Sequence, residues 1–178
     1  MLRRLLMTTL AALPLMACGG PTPKSFEGGE PRLKLEDYFA GETKAYGIFR
    51  DRFGEVRRQF VVDVQGAWNA ETQTLTLDES FRYADGETDT RVWTIEKKGP
   101  HRYVGTAGDV IGEAEGEAYG NAFTWRYQVE LPVNDSTWTV TFDDWMFLQP
   151  DGILLNTATV TKWGVEVGTV TITFRQVS

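Results

Sequence analysis

Four charged residues occupy positions of predicted strands where the alternation places apolar side chains. They are Arg58, Glu79, Arg91 and Asp144. Glu79, for example, lies between Leu77 and Phe81 in a strand of strict period two. An unpaired charge inside a protein costs several kcal/mol, so each of the four must be paired, hydrated or bound to a ligand.

Pairing within the protein is the first interpretation of these charges. The Asp85-Gly86 pair is a hairpin signal, and a connection centred on it places Glu79 opposite Arg91 on neighbouring strands. In the same way, Asp144 can meet Arg58 or Lys162. On this interpretation the charges are structural.

Ligand binding is the second interpretation, in which the charges form a polar floor beneath an aromatic-lined cavity. The candidate ligand-binding residues are then Arg58, Glu79, Arg91, Trp93, Trp125, Tyr127 and Asp144. A catalytic pair of carboxylates is the third, and it requires environments that separate the two pKa values. No residue is assigned a catalytic role from the sequence.

A run of alternating acids supplies a further candidate. Glu113, Glu115 and Glu117 alternate with Ala114, Gly116 and Ala118, so that one face is acidic and the other is small. A solvated acidic face is the simplest interpretation, and a calcium site is the alternative, although no Asp/Asn-Gly loop accompanies it. The small face, opposite Trp125 and Tyr127, leaves room that a ligand can occupy.

The other reactive side chains are few. His101 is the only histidine and lies in a Gly-Pro turn, which excludes a Ser-His-Asp triad and a histidine-rich metal site. Cys18 is the only cysteine, so disulfides within the chain are excluded as well. We therefore predict no metal and no cofactor.

Cys18 has a chemistry of its own. Arg3 and Arg4 precede an apolar stretch over residues 5–15, and Ala17-Cys18 follows, as in a bacterial lipobox. This pattern predicts a signal peptide over residues 1–17 and lipidation of Cys18. An ordinary signal peptide with a chance cysteine is the alternative.

The predicted partner is therefore a membrane, reached through the lipid on Cys18. The apolar stretch is shorter than the roughly 20 residues of a spanning helix, and two or more acyl chains anchor durably. Gly19, rather than Asp, follows the cysteine and favours the periplasmic face of the outer membrane over that of the inner membrane. The net charge of −7 argues against nucleic acid as a partner.

The elements that position these residues are predicted to be strands. Gly and Pro over residues 18–32 indicate a flexible tether, and residues 33–178 form the folded domain. From Thr43 onward, period-two alternation recurs between tight turns. About nine or ten antiparallel strands favour closure into one up-and-down barrel, with a two-sheet sandwich as the alternative.

Several runs resemble a family of bacterial lipoproteins known as domain of unknown function 3833. They are Tyr46–Asp51, Tyr83–Glu87, Arg91–Trp93, Gly120–Tyr127, Asp143–Met146 and Lys162–Val165. The resemblance covers nearly all of residues 33–175 and implies a periplasm-facing lipoprotein with no assigned reaction. It also implies a genetic association with enzymes that modify membrane fatty acids.

A second resemblance is to the lipocalins. Gly66-Ala67-Trp68 and Arg175 are similar to their Gly-x-Trp motif and late arginine, although the motif here ends the second predicted strand instead of beginning the first. The expected fold is accordingly an all-β, lipocalin-like or calycin-like barrel.

The expected function is binding of a fatty acid or another lipid-like small molecule in the barrel interior. Two alternatives stay open at this point. One is a lipid-modifying enzyme that uses Glu79 or Asp144, and the other is a structural or accessory lipoprotein with a packed interior.

Overall fold

The computed structural model describes residues 20–133 and 136–177. A single 3-10 turn, Pro23–Phe26, and a short helix α1, Leu35–Tyr38, precede the strands. The strands are β1 Gly41–Asp51, β2 Val56–Asn69, β3 Thr74–Tyr83, β4 Thr88–Lys97, β5 Arg102–Thr106, β6 Val110–Tyr119, β7 Ala122–Val133, β8 Ser136–Leu148, β9 Leu154–Lys162 and β10 Val165–Gln176. The predicted signal peptide and Cys18 lie outside the described residues.

The ten described strands close into one barrel. Each strand pairs antiparallel with its neighbours in the chain, and β1 pairs with β10 to complete the circle. Closure leaves no unpaired sheet edge, which is the physical reason for a barrel of this size. The predicted all-β, up-and-down barrel is confirmed.

One end of the barrel is closed by residues 33–40, which precede β1 and are here called the plug. Leu33, Leu35 and Phe39 are at most 4 % exposed and belong to the main apolar core. The hydroxyl of Tyr38 donates to the backbone oxygens of Gly152 and Phe174, at 3.1 and 3.0 Å. Full burial of a leucine contributes about 1.5–3 kcal/mol, so this closed end is a substantial part of the fold.

Gly66 permits the close approach of this plug to the wall. A Cβ atom at Gly66 would lie 1.6 Å from the backbone oxygen of Phe39. The glycine of the Gly-x-Trp sequence therefore has a packing role, and the motif lies near the end of β2, as predicted. Arg175, by contrast, is exposed on β10.

The segment before residue 33 contacts the barrel. The ring of Phe26 packs edge to face against Trp145 and Phe147, with centroids 5.7 and 5.3 Å apart. The backbone N–H of Leu33 donates to Gly120 at 2.8 Å. The flexible tether predicted over residues 18–32 thus includes residues that pack on the outer wall, because Phe26 buries apolar surface there.

The other end of the barrel, here called the mouth, is bordered by the turns at 52–55, 84–87 and 163–164. On its β7–β10 side a second apolar cluster is closely packed around Val129, Val140 and Val160. On the β2–β4 side, inward side chains keep accessible surface. They are Phe60, Glu79, Phe81, Tyr83 and Arg91. Phe60 and Tyr83 also line a groove on the outer wall, whereas Glu79, Phe81 and Arg91 do not, and from the exposure of these three we infer a space open at the mouth, here called the inner cavity.

No helix in the described part of the chain is long and apolar enough to cross a membrane.

Candidate functional site

Glu79 and Arg91 lie directly opposite each other on β3 and β4, as the sequence predicts. Both side chains point into the barrel. The ion pair of Arg91, however, is with Asp109, which precedes β6. Arg91 and Asp109 are 26 % and 30 % exposed, so the pair borders the inner cavity.

Asp144 lies across the interior on β8 and is 5 % exposed. Its Oδ1 accepts a hydrogen bond from the side-chain amide of Asn156 at 2.9 Å. Its Oδ2 has no hydrogen-bond partner among the described residues. The prediction that Asp144 meets Arg58 or Lys162 is wrong, because both cations lie nearer the mouth.

Burial changes the acid–base properties of both interior carboxyls. Burial raises the pKa of Glu79 to about 7, against the favourable charge of Arg91. Burial raises the pKa of Asp144 to about 7 as well, although Asn156 and Tyr127 act to lower it. Burial therefore raises both pKa values in the same direction, and the two carboxyls are not distinguished as a separate acid and base.

Tyr127 connects the two carboxyls. Burial, followed by the charge of Asp144, raises the pKa of its hydroxyl well above the usual value. Burial alone would lower the pKa of Arg91, but Tyr127, Glu79 and Asp109 together raise it. Glu79, Arg91, Asp109, Tyr127, Asp144 and Asn156 therefore form one electrostatic unit, here called the polar cluster.

Aromatic rings surround the polar cluster. The ring of Tyr127 stacks on Phe142 with centroids 5.3 Å apart, and Trp93 meets it edge to face at 5.3 Å. The guanidinium of Arg91 lies 5.8 Å from the Trp93 ring and 6.0 Å from Phe81. The cavity thus combines aromatic faces with carboxylates.

The small face of β6 does not leave the predicted space. Ala114 and Ala118 point inward as expected, with 0 % and 6 % exposure. A Cβ atom at Gly116 would lie 2.2 Å from Trp125, and one at Gly105 would lie 2.7 Å from the same ring. The expectation of unfilled volume was wrong here, because the indole of Trp125 fills it.

Arg58 lies at the mouth instead of in the polar cluster. Its guanidinium pairs with Glu87 at 2.6 Å and lies 3.9 Å from the centre of the Tyr83 ring. Its side chain is 37 % exposed. The reason is that β2 begins at the mouth, beside the turn that carries Glu87. Arg58 is therefore a rim residue.

Two members of the polar cluster were missed from the sequence. Asn156 lies between Leu154 and Ala158 in an alternating strand, the same signal that identified Glu79. Asp109 follows the short strand β5 in a Gly-containing turn, and nothing in its local pattern marks it as an interior residue.

The remaining chemical candidates are peripheral. Glu113, Glu115 and Glu117 are exposed, and Glu115 pairs with Arg102 at 3.2 Å. The His101 ring stacks on Tyr119 at 4.1 Å near the closed end. Within residues 20–133 and 136–177, no three His, Cys, Asp or Glu side chains group in a way that could hold a metal ion.

A shallow groove of about 590 Å³ lies elsewhere, on the outer wall. Its lining includes outward side chains of β1, β2, β3 and β10, such as Tyr46, Gln59 and Thr171. The groove is separate from the polar cluster, because none of the charged residues of the cluster lines it.

The chain matches, over residues 12–176, the family described as "Protein of unknown function (DUF3833)". It belongs to the DUF3833 family. The match spans most of the chain and includes every strand of the barrel. The family resemblance noted in the sequence is therefore confirmed.

A solved structure shares the fold of this DUF3833 chain. It is the S-type phycobiliprotein lyase of Guillardia theta, with a TM-score of 0.58 and 10 % sequence identity. The likeness covers 89 % of this chain and 99 % of the lyase. At that identity it shows the lipocalin-like fold alone. No curated protein matches the DUF3833 chain by sequence.

Proposed function

We propose that this DUF3833 protein is a membrane-anchored, periplasm-facing lipoprotein that binds a lipid-like small molecule in its barrel. The accessible surface that Glu79, Phe81 and Arg91 keep inside the barrel is the observation that carries the proposal. Inward aromatic rings keep accessible surface beside the polar cluster, and small-molecule sites combine such apolar walls with a few polar groups. The fold likeness to a phycobiliprotein lyase supports a small-molecule role.

The anchoring part of the proposal rests on the sequence. Cys18 follows a leader that fits lipoprotein processing, and it lies only a few residues before the Pro23–Phe26 turn that packs on the barrel. A lipid on Cys18 would hold the barrel close to the bilayer. This position suits a protein that takes up a membrane-derived ligand.

Photo-cross-linking tests the binding site directly. The mature protein is incubated with an alkyl amphiphile that carries a diazirine on its chain, irradiated, and mapped by mass spectrometry. We expect adducts on Phe81 and Tyr127, which point into the barrel and do not line the outer groove. Adducts confined to Tyr46 and Ile48 in the outer groove would contradict an interior site.

A pair of variants provides the matched comparison. Phe81→Trp crowds the cavity, whereas Val92→Trp adds the same ring to an exposed outward position. We expect the first change to weaken binding of the amphiphile and the second to leave it unchanged. Equal binding by both variants, with intact folding, would argue against the cavity.

A further inference from the structure

The polar cluster contains more carboxyl groups than cationic groups. Its carboxyls are Glu79, Asp109 and Asp144, whereas Arg91 supplies its single cationic group. Arg91 is already bound to Asp109, and the amide of Asn156 reaches one oxygen of Asp144. Glu79 and Asp144 therefore have no cation of their own in the described structure.

Asp144 shows the deficit most clearly. It is 95 % buried, and its Oδ2 lacks a hydrogen-bond partner among the described residues; the hydroxyl of Tyr127, which acts to lower its pKa, does not cancel the effect of burial. One buried oxygen of Asp109 is also without a partner among those residues. A buried acceptor left without a donor costs about 1–3 kcal/mol, so a ligand that brings donors gains this energy.

The aromatic walls favour the same kind of ligand. The guanidinium of Arg91 already lies 5.8 Å from the Trp93 ring and 6.0 Å from the Phe81 ring, so rings beside the cluster accept a cation. The faces of aromatic rings attract cations through their quadrupoles. A carboxylate head group would instead meet Glu79 and Asp144 as like charges.

We propose that the inner cavity binds an amphipathic molecule through an organic ammonium head group held by Glu79 and Asp144. The apolar chain then extends past Phe60 and Phe81 toward the mouth. The inference rests on the proposed interior site and names the chemical class of its ligand. The ligand proposed here is therefore a lipophilic amine, and not the fatty acid that the sequence analysis expects.

The release of protons on ligand binding can be measured as a second test of the head group. The pKa of each carboxyl is raised to about 7, and an ammonium ion favours the charged forms. The groups that face Glu79 are Arg91, Asp109 and Tyr127, and those that face Asp144 are Asn156, Tyr127, Asp143 and Arg91. Binding should release protons, and affinity for the amine should rise between about pH 6 and pH 8.

The test uses three probes with one alkyl chain and different heads. Dodecylamine, dodecanol and dodecanoate, each below its micelle concentration, compete with a fluorescent apolar probe for the mature protein. We expect the amine to bind at least about tenfold more tightly than dodecanoate at about pH 8, with a smaller ratio at about pH 6. Dodecanol should fall between them.

Variants separate the interior site from general attraction to an acidic protein. Glu79→Gln and Asp144→Asn should each lower amine affinity about tenfold and spare dodecanol. Glu115→Gln removes the same charge from the exposed face of β6 and should change nothing. If one interior variant fails to fold, the other carries the test.

The outcomes distinguish this inference from the proposed function. If dodecanoate binds as tightly as the amine, or if Glu115→Gln acts like Glu79→Gln, the ammonium site is wrong while an interior lipid site stands. If none of the three compounds displaces the apolar probe, interior binding itself is wrong.

Discussion

Glu79 and Asp144 occupy positions where a carboxylate is poorly stabilised in the unliganded protein. Neither is the direct ion-pair partner of Arg91, which is bound to Asp109. If Glu79 were the ion-pair partner of Arg91, its loss would leave a buried charge uncompensated and cost about 3–5 kcal/mol. With Asp109 in place, Glu79 is instead an acceptor that burial keeps partly protonated near neutral pH.

Stability should therefore fall as pH rises through this range. A carboxyl whose pKa is raised from 4.5 to about 7 on folding binds more protons in the native state between these values. The native state then loses stability above the unfolded pKa, by about 2–4 kcal/mol between pH 5 and pH 8 for one such group.

The variant Glu79→Gln tests the predicted direction of the pH dependence of stability. Without the titrating carboxyl, the variant should melt at a higher temperature than the parent at about pH 8 and at a similar temperature at about pH 5. Thermal unfolding at the two pH values measures the difference. A large loss of stability at both would show that Glu79 is a structural partner of Arg91 after all.

At the scale of elements, the plug before β1 determines which end of the barrel is closed. Glu36 in α1 binds Lys97 and the hydroxyl of Tyr103, at 2.8 Å in the second case. Burial raises the pKa of Glu36, but the hydrogen bond from Lys97 and further partners lower it overall. The plug is thus fixed to β4 by an ion pair, to β5 by a hydrogen bond and to β2 by the close contact at Gly66.

Gly66→Ala tests the plug. The added methyl would overlap the backbone oxygen of Phe39, which must shift, and we expect a loss of at least about 2 kcal/mol. Gly108→Ala is the matched control, because nothing lies within 4 Å of a Cβ atom there. Chemical denaturation gives both values, and equal stability of the two variants would show that the plug adapts.

At the level of the whole molecule, the barrel and the proposed lipid anchor occupy separate parts of the chain. The described residues form a closed barrel, and the proposed membrane attachment depends on Cys18, which lies before them in the sequence. An anchored barrel with an accessible mouth is suited to exchange an amphiphile with the adjacent bilayer.

Cys18 can be tested independently of the cavity. We expect a mature N-terminus at Cys18 that carries acyl chains, because the leader before it fits lipoprotein processing. Mass spectrometry of the N-terminal peptide measures this, and Cys18→Ser should move the protein out of the membrane fraction. An unmodified Cys18 in the mature chain would contradict the prediction.

The alternation of the sequence is enough to predict a barrel, with a two-sheet sandwich as the alternative, and the inward direction of its charges. Period-two alternation defines which residues share a face, so Glu79, Arg91 and Asp144 were placed inside before any tertiary contact was known. The Asp85-Gly86 turn also set the register that puts Glu79 opposite Arg91.

Which charges meet, and where space remains, depends on tertiary packing. Asp109 reaches Arg91 from the turn after β5, which pairs with β4 only over residues 94–97, and Trp125 covers its strand partner Gly116 on the face of β6 that looked empty. The pairing of β2 with β3 places Arg58 at the rim beside Glu87. Alternation fixes the direction of a side chain, whereas its depth and its contacts depend on how neighbouring strands pair and on where each one ends.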